Sequence, residues 1–478
     1  MIKFGTDGWR AIISDEFTFE NVKKVARAIS IYLQKHKLDK KVLIVGYDAR
    51  FLADKFALEI IKVMNEAGIN CLFPDRDTPT PVIAWEIKQR KASGAIMLTA
   101  SHNPAQYCGI KFIPEYAGPA NLAITKEIEE NLKSELSANP SAPLRVRDSS
   151  GHRAESRCRG TFDHFNPRPN YFDYLSSFLD IALIKKTKRK IAYDAMFGSG
   201  RGYIDAFLES LGHEIIALNC QRDVLFGGRS PEPDEENLHE LAKTVKIETC
   251  DLGLANDGDA DRFGVIDEKG KFISAHRVVV LLANYLMEKK GWRGSLVRSV
   301  GTTHMLDKLA TKYKVKLHEV PVGFKYIAEI MLKEKVVLGG EESGGLSILN
   351  HIPEKDGTLA DLLMVEMLNA YNKPLSQIYA DLEKELGAFY QGKINLPVKP
   401  GVKEKLAQAA KGIKTIGNLK VKELKIIDGV KFLLEDQSSW VLLRPSGTEP
   451  LLRGYFESDS LEKLSLIQQD VKAIINKI

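Results

Sequence analysis

Short apolar runs alternate with helical patterns over most of the chain. KVLIVGY (41–47) and GAIMLTA (94–100) read as strands, with a helical stretch over Lys55–Ala67 between them. A second round runs KIAYDAM (190–196), a helix near Ile204–Leu211, EIIALN (214–219), a helix near Glu235–Val245 and LGLAN (252–256). A third runs GSLVRSV (294–300), VKLHEV (315–320) and VVLGG (336–340), again with helices between. Alternating strand and helix predicts mainly parallel sheets covered by helices. Three rounds predict three α/β domains, repeated in pattern but not in sequence. The last stretch differs. LKIIDG (424–429), KFLLE (431–435), SWVLLR (439–444) and LLRGYFE (451–457) follow one another closely, and a helix from Leu461 closes the chain. Clustered strands flanked by helices predict an α+β domain. Residues 141–164 show no periodicity and carry five arginines, which reads as a solvated interdomain linker.

Composition narrows the function classes. With 68 Lys+Arg against 63 Asp+Glu, the net charge of +5 over 478 residues is too small for a dedicated nucleic-acid binder. Cysteines 71, 108, 158, 220 and 250 are far apart, which excludes a zinc ribbon and argues against a disulfide scaffold. The opening MIKFGTDGWR lacks the apolar core of a signal peptide. The most apolar stretch, Val278–Met287, is interrupted by Asn284 and too short to span a bilayer. A reduced, cytoplasmic, multidomain protein is expected.

DGDADR (257–262) is the strongest local signal. Asp257, Asp259 and Asp261 alternate just after the strand LGLAN, and three such carboxylates repel one another unless a cation lies between them. Oxygen ligands without His or Cys point to Mg²⁺ or a similar ion. An EF-hand fails because Arg262 occupies loop position 6, where Gly is required, and because the flanks read as strands. TASHNP (99–104) places Ser101 where the loop leaves a strand's carboxyl end, the usual site edge in open α/β sheets. Without a GxSxG elbow, a serine that carries a phosphoryl group fits better than a hydrolase nucleophile. GGEESGG (339–345) sets Glu341, Glu342 and Ser343 in a glycine-flanked loop suited to sugar hydroxyls. RPSGTEP (444–450) offers Ser446, Gly447 and Thr448 as an anion nest with Arg444, and Arg453 on the next strand is within reach of the same anion. FGTDGWR (4–10) and PVGFKYI (321–327) are weaker Gly-containing turns that carry Arg10 and Lys325. AMFGSGRG (195–202) scores low as a dinucleotide fingerprint, because Tyr203 stands where Gly or Ala belongs and no acid closes the next strand.

Together and in this order, the motifs resemble the α-D-phosphohexomutase family of phosphoglucomutases and phosphomannomutases, from Phe4 to Arg453. The resemblance implies four domains around a central cleft: three α/β domains with mixed sheets and a C-terminal α+β domain. The boundaries expected are 1–145, 165–272, 273–385 and 386–478. It implies that Ser101 is a phosphoserine and that Asp257, Asp259 and Asp261 bind Mg²⁺ with the serine phosphate. Glu341 and Ser343 would hold sugar hydroxyls. Arg444, Ser446, Gly447 and Thr448 would hold the non-reacting phosphate, joined by Arg453. Arg10, His102, Lys111, Arg262 and Lys325 would surround the reacting groups. Cys108 stands where the family usually has Asn, which predicts a weakened turn ahead of Lys111. Residues 145–164 match nothing in the family.

The function expected is a phosphoglucomutase that interconverts glucose 1-phosphate and glucose 6-phosphate, with Mg²⁺ and with glucose 1,6-bisphosphate as intermediate and activator. Phosphomannomutase or dual activity is the alternative. Phosphoglucosamine mutase ranks behind because its loop more often reads GEQSGH, against Glu342 and Gly345 here. Phosphopentomutase, a metal-dependent phosphatase and a silent sugar-phosphate binder rank behind too. The partner expected is a hexose phosphate, with no nucleic acid or membrane, for a monomer or homodimer.

Overall fold

The computed structural model describes residues 2–5, 8–137, 162–398, 402–445 and 451–476. Its strands form four sheets. The first runs Trp9–Ile12, Tyr107–Pro114, Gly94–Leu98, Leu43–Tyr47, Cys71–Pro74, Phe162–Phe165 in spatial order. Leu43–Tyr47 is parallel to both its neighbours, whereas Tyr107–Pro114 is antiparallel to both of its own. The second sheet orders Phe272–Ile273, Phe263–Ile266, Leu252–Asn256, Lys190–Asp194 and Glu214–Leu218. The third orders Leu317–Val320, Ser295–Ser299, Val336–Gly340 and Leu346–Ile348. Each is mixed: parallel pairings form the majority in the first and third sheets and half of those in the second, and a hairpin strand returns antiparallel beside the parallel core. The fourth sheet, from Tyr390–Pro397 to Trp440–Pro445 and Leu451–Ser458, is antiparallel throughout.

Two readings of the sequence need correction here. The end of the segment taken as linker, Phe162–Phe165, is a strand that pairs parallel with Cys71–Pro74 and completes the first sheet. Phe73 and Phe162 meet edge to face at 5.8 Å, so aromatic contact holds a strand whose sequence alternates too little to be read as one. The remainder of that segment, 141–161, lies outside the described residues. Cys108, expected to weaken a turn, instead sits fully buried in Tyr107–Pro114, opposite Ala11. There it acts as a small apolar core residue, and ladder hydrogen bonds support Lys111 without an Asn side chain.

One apolar core runs through the first three domains, from Ile44 and Trp85 to Leu386. Its centre is the helix Gly357–Tyr371, buried on nearly every face and capped by Asp356, whose Oδ1 accepts the Leu359 N–H at 2.9 Å. The last domain has its own core around Phe432, Val441 and Phe456. It meets the third through a small cluster of Val300, Trp440, Leu442 and Tyr455. No helix among the described residues is long and apolar enough to cross a membrane.

Candidate active site

A cleft of about 1160 Å³ opens where the four domains meet. Arg10, His102, Arg262, Lys325, Glu341, Ser343, Arg444 and Arg453 all line it. Lys325 lies in the first turn of the helix Phe324–Met331, and the others come from loops or from strands near their ends. Ser101, Lys111, Asp257, Asp259 and Asp261 are buried, close to these residues. Ser446, Gly447 and Thr448 lie outside the described residues.

Ser101 leaves the strand Gly94–Leu98 with a left-handed backbone, φ 51°, a region that non-glycine residues adopt only when their surroundings enforce it. Its N–H donates to Thr99 Oγ1 at 2.8 Å. Its hydroxyl donates to Asp257 Oδ2 at 2.7 Å and lies 3.3 Å from His102 Nδ1. Burial, with Arg262 and Arg10 nearby, holds His102 well below the usual imidazole range. Arg10 donates to Asn103 Oδ1 at 2.7 Å.

The aspartates occupy a hairpin loop between Leu252–Asn256 and Phe263–Ile266. Asn256 closes it: its amide donates to the Arg262 carbonyl and to Asp361 Oδ2, each at 3.0 Å. AMFGSGRG packs against this loop. A Cβ at Gly198 would stand 2.9 Å from the Asp257 and Gly258 carbonyl oxygens, so close approach explains that glycine. Counted from Asp257, Glu268 would be position 12 of an EF-hand loop; it instead accepts from Ser376. One oxygen from each of Asp257, Asp259 and Asp261 lies within 4.8 Å of the others. Lys111 Nζ donates to Asp259 Oδ2 at 3.0 Å and to Asp261 Oδ2 at 2.9 Å, and Lys355 reaches Asp261 Oδ2 at 2.9 Å. Thr80, from the first domain, donates its hydroxyl to Asp259 Oδ2 at 2.6 Å. Burial and the neighbouring Asp259 and Asp261 push Asp257 well above the carboxylate range. Burial acts the same way on Asp261, but Lys111 and Lys355 overcome it and hold that group well below. Asp259 Oδ1 and Asp261 Oδ1 are buried without hydrogen-bond partners. Such a cluster of unmatched carboxylate oxygens fits a hard divalent cation.

Glu341 accepts the Gly323 N–H at 2.9 Å, and burial beside Glu342 pushes it up to about 7. Glu342 accepts from Ser299 and, at 3.3 Å, from Thr302. Arg444 and Arg453 stand directly opposite each other on antiparallel strands, with Asp428 Oδ2 accepting from Arg444 at 2.7 Å. Two cations on one hairpin can hold a phosphate. Sequence reasoning missed Thr80 and Lys355, whose roles depend on contacts across domains. The only signal for Lys355 lies elsewhere in the chain: Gly345 leaves room for it, since a Cβ there would come within 2.4 Å of Lys355 Cδ.

Fold and site together define a four-domain isomerase that moves a phosphoryl group within a sugar phosphate. The chain belongs to the phosphoglucomutase/phosphomannomutase family. Family models for alpha/beta/alpha domains I, II and III match residues 1–139, 169–270 and 274–386, and the model for the C-terminal domain matches 394–474. The chain is 30% identical over 460 residues to a phosphoglucomutase/phosphomannomutase of Thermococcus kodakarensis, covering 96% of this chain and 95% of that one. It is 29% identical over 474 residues to a phosphoglucosamine/phosphogalactosamine mutase of Sulfurisphaera tokodaii, covering 99% and 98%. A crystal structure of a Thermus thermophilus protein, provisionally assigned as a phosphomannomutase, superposes with a TM-score of 0.85 at 31% identity and 99% coverage of both chains.

Proposed function

We propose that the protein is a phosphoglucomutase working through a phosphoserine at Ser101. The observation that carries this reading is the buried Ser101 hydroxyl, 2.7 Å from Asp257 beside the aspartate cluster, at a cleft ringed by cations from all four domains. Phosphoserine donates its phosphoryl group to the free hydroxyl of a hexose monophosphate. The Ser101 Oγ–P bond breaks, the sugar O–P bond forms, and the hydroxyl proton leaves to a base, for which neutral His102 stands 3.3 Å from Ser101 Oγ. The hexose 1,6-bisphosphate reorients and returns its other phosphoryl group to Ser101. Mg²⁺ held by Asp257, Asp259 and Asp261 would supply charge stabilisation for the transferring group. Arg444 and Arg453 hold the phosphate that is not reacting, with Ser446, Gly447 and Thr448 completing that loop. Glu341 and Ser343 clamp hydroxyls between the two ends, so either end of the sugar presents alike. Arg10, Lys111, Arg262 and Lys325 supply positive charge around the phosphates.

Glucose is favoured over glucosamine by the Glu341–Gly345 loop. A side chain at 345, such as the His of GEQSGH, would displace Lys355 from Asp261. Phosphomannomutase activity is the second reading, because one epimeric hydroxyl discriminates only modestly. The test is turnover on glucose, mannose and glucosamine 1-phosphates with Mg²⁺ and the matching bisphosphate, with a chelator control and inorganic phosphate monitored. Chelator-sensitive 6-phosphate formation is expected, fastest on glucose and abolished in Ser101→Ala. Release of inorganic phosphate without 6-phosphate would make the protein a phosphatase, and a glucosamine-first ranking would overturn the sugar assignment.

A further inference from the structure

We propose that Arg50 is a positioning residue for phosphoryl transfer, holding the Ser101 loop in its reactive conformation; this rests on the phosphoserine reading above. Asp48 and Arg50 follow the strand Leu43–Tyr47, whose neighbour Gly94–Leu98 leads into Ser101, and Tyr47 pairs with Leu98. The two segments therefore leave adjacent strand ends side by side. The Arg50 side chain is fully buried, and all five of its N–H donors are used. Nη2 donates to the carbonyls of Ser101 and Asn103, each at 2.6 Å. Nη1 donates to those of Pro104 and Tyr107, each at 2.9 Å. Nε donates to Asp48 Oδ2 at 3.1 Å, and Asp48 Oδ1 accepts the Arg50 N–H at 3.0 Å.

One planar cation thus gathers four carbonyls of the loop that begins at the serine. The second domain completes the enclosure. Phe226 covers the guanidinium with its ring centroid at 5.0 Å, and Ser230 donates its hydroxyl to the His102 carbonyl. A left-handed serine is disfavoured in an open loop and persists where its neighbours fix both sides of it. Arg50 supplies that restraint through the serine's own carbonyl and three that follow. The direction of Ser101 Oγ toward Asp257 depends on the same backbone. Phosphoryl transfer depends on positioning, and displacement by about 1 Å costs on the order of 100-fold in rate. Lysine keeps the charge but presents three donors from a point, so it cannot hold four carbonyls in a plane.

The test compares wild type, Arg50→Lys and Asp48→Asn. Each is measured for kcat and KM per folded molecule, and for transfer of phosphate from glucose 1,6-bisphosphate to Ser101 by intact mass. In Arg50→Lys, kcat and the rate of Ser101 phosphorylation should fall by about 100-fold. KM should stay within about threefold, because Arg444 and Arg453 are untouched, whereas a merely structural role would lower the folded fraction and leave kcat per folded molecule alone. Asp48→Asn keeps the shape but only one of the two acceptor oxygens, and loses the charge-assisted bond; it should lose roughly tenfold in kcat, and it decides the matter if Arg50→Lys does not fold. Wild-type kcat per folded molecule in whichever variant decides overturns the role of Arg50. Failure of wild type itself to take up phosphate at Ser101 would instead overturn the phosphoserine reading.

Discussion

Glu319 joins the third domain to the last, and its removal tests how firmly the sheet that carries Arg444 and Arg453 is held. Oε1 accepts from Arg298 at 2.8 Å and from Lys431 at 2.6 Å, while Oε2 accepts from Lys425 at 3.1 Å. Arg298 is also paired with Asp307 at 2.7 Å. Lys431, fully buried, donates to the Val300 carbonyl at 2.8 Å and lies over Trp440 at 4.4 Å. Burial opposes ionisation of Glu319, but Arg298 and Lys431 prevail and hold it at about 2, down from 4.5. At 1.36 kcal/mol per tenfold, that fall corresponds to ~3 kcal/mol of stability. Lys431 shows no matching rise: burial and Arg298 bring it down to about 8. The seam thus carries an excess of positive charge, and its carboxylate is the member whose loss is felt most. Without it Lys431 sheds its proton more readily, which softens the penalty to about 2 kcal/mol for Glu319→Gln. A carboxylate held low in the folded state stabilises fully above about 4.5, and that contribution is lost as pH falls through about 2. The gap between wild type and variant should therefore be full at pH 7 and shrink on acidification. Urea unfolding of both proteins at pH 7 and pH 3, followed by tryptophan fluorescence, measures it. A gap under ~0.5 kcal/mol at pH 7, or one that widens toward pH 3, would refute the reasoning.

Gly345→His should break the Lys355–Asp261 pair and lower kcat on glucose 1-phosphate by roughly 10- to 100-fold while the fold persists; unchanged kinetics would show that Lys355 has room to move aside. Gly8→Ala places a Cβ 2.3 Å from the Ile110 carbonyl oxygen at φ 93°. It should destabilise the first domain by about 2–4 kcal/mol, read as a drop in its thermal midpoint, and an unshifted midpoint would contradict the close approach.

Strands such as Leu43–Tyr47 and Gly94–Leu98 were legible because they are unbroken apolar runs between polar turns. Tyr107–Pro114 was not: Lys111 and Gly109 interrupt it, and the lysine is accommodated only because Asp259 and Asp261 meet it from another domain. The helix Gly357–Tyr371 lacks an amphipathic stripe because other elements bury it from every side. The aspartates and Ser101 stood out because their spacing needs a chemical reason. Thr80, Lys355 and Arg50 did not, since an isolated threonine, lysine or arginine reads as ordinary surface until the fold brings a carboxylate or a carbonyl to it.

Arg10 and Arg453 face the same cleft from nearly opposite ends of the chain. On the ribosome, the segment carrying Ser101 emerges long before the hairpin that carries Arg444 and Arg453. On the reading proposed above, a chain that has made only its first domains cannot hold a sugar phosphate by both ends. A polypeptide cut before residue 440 would lack the Arg444–Arg453 pair, and on the same reading it would have no grip for the non-reacting phosphate.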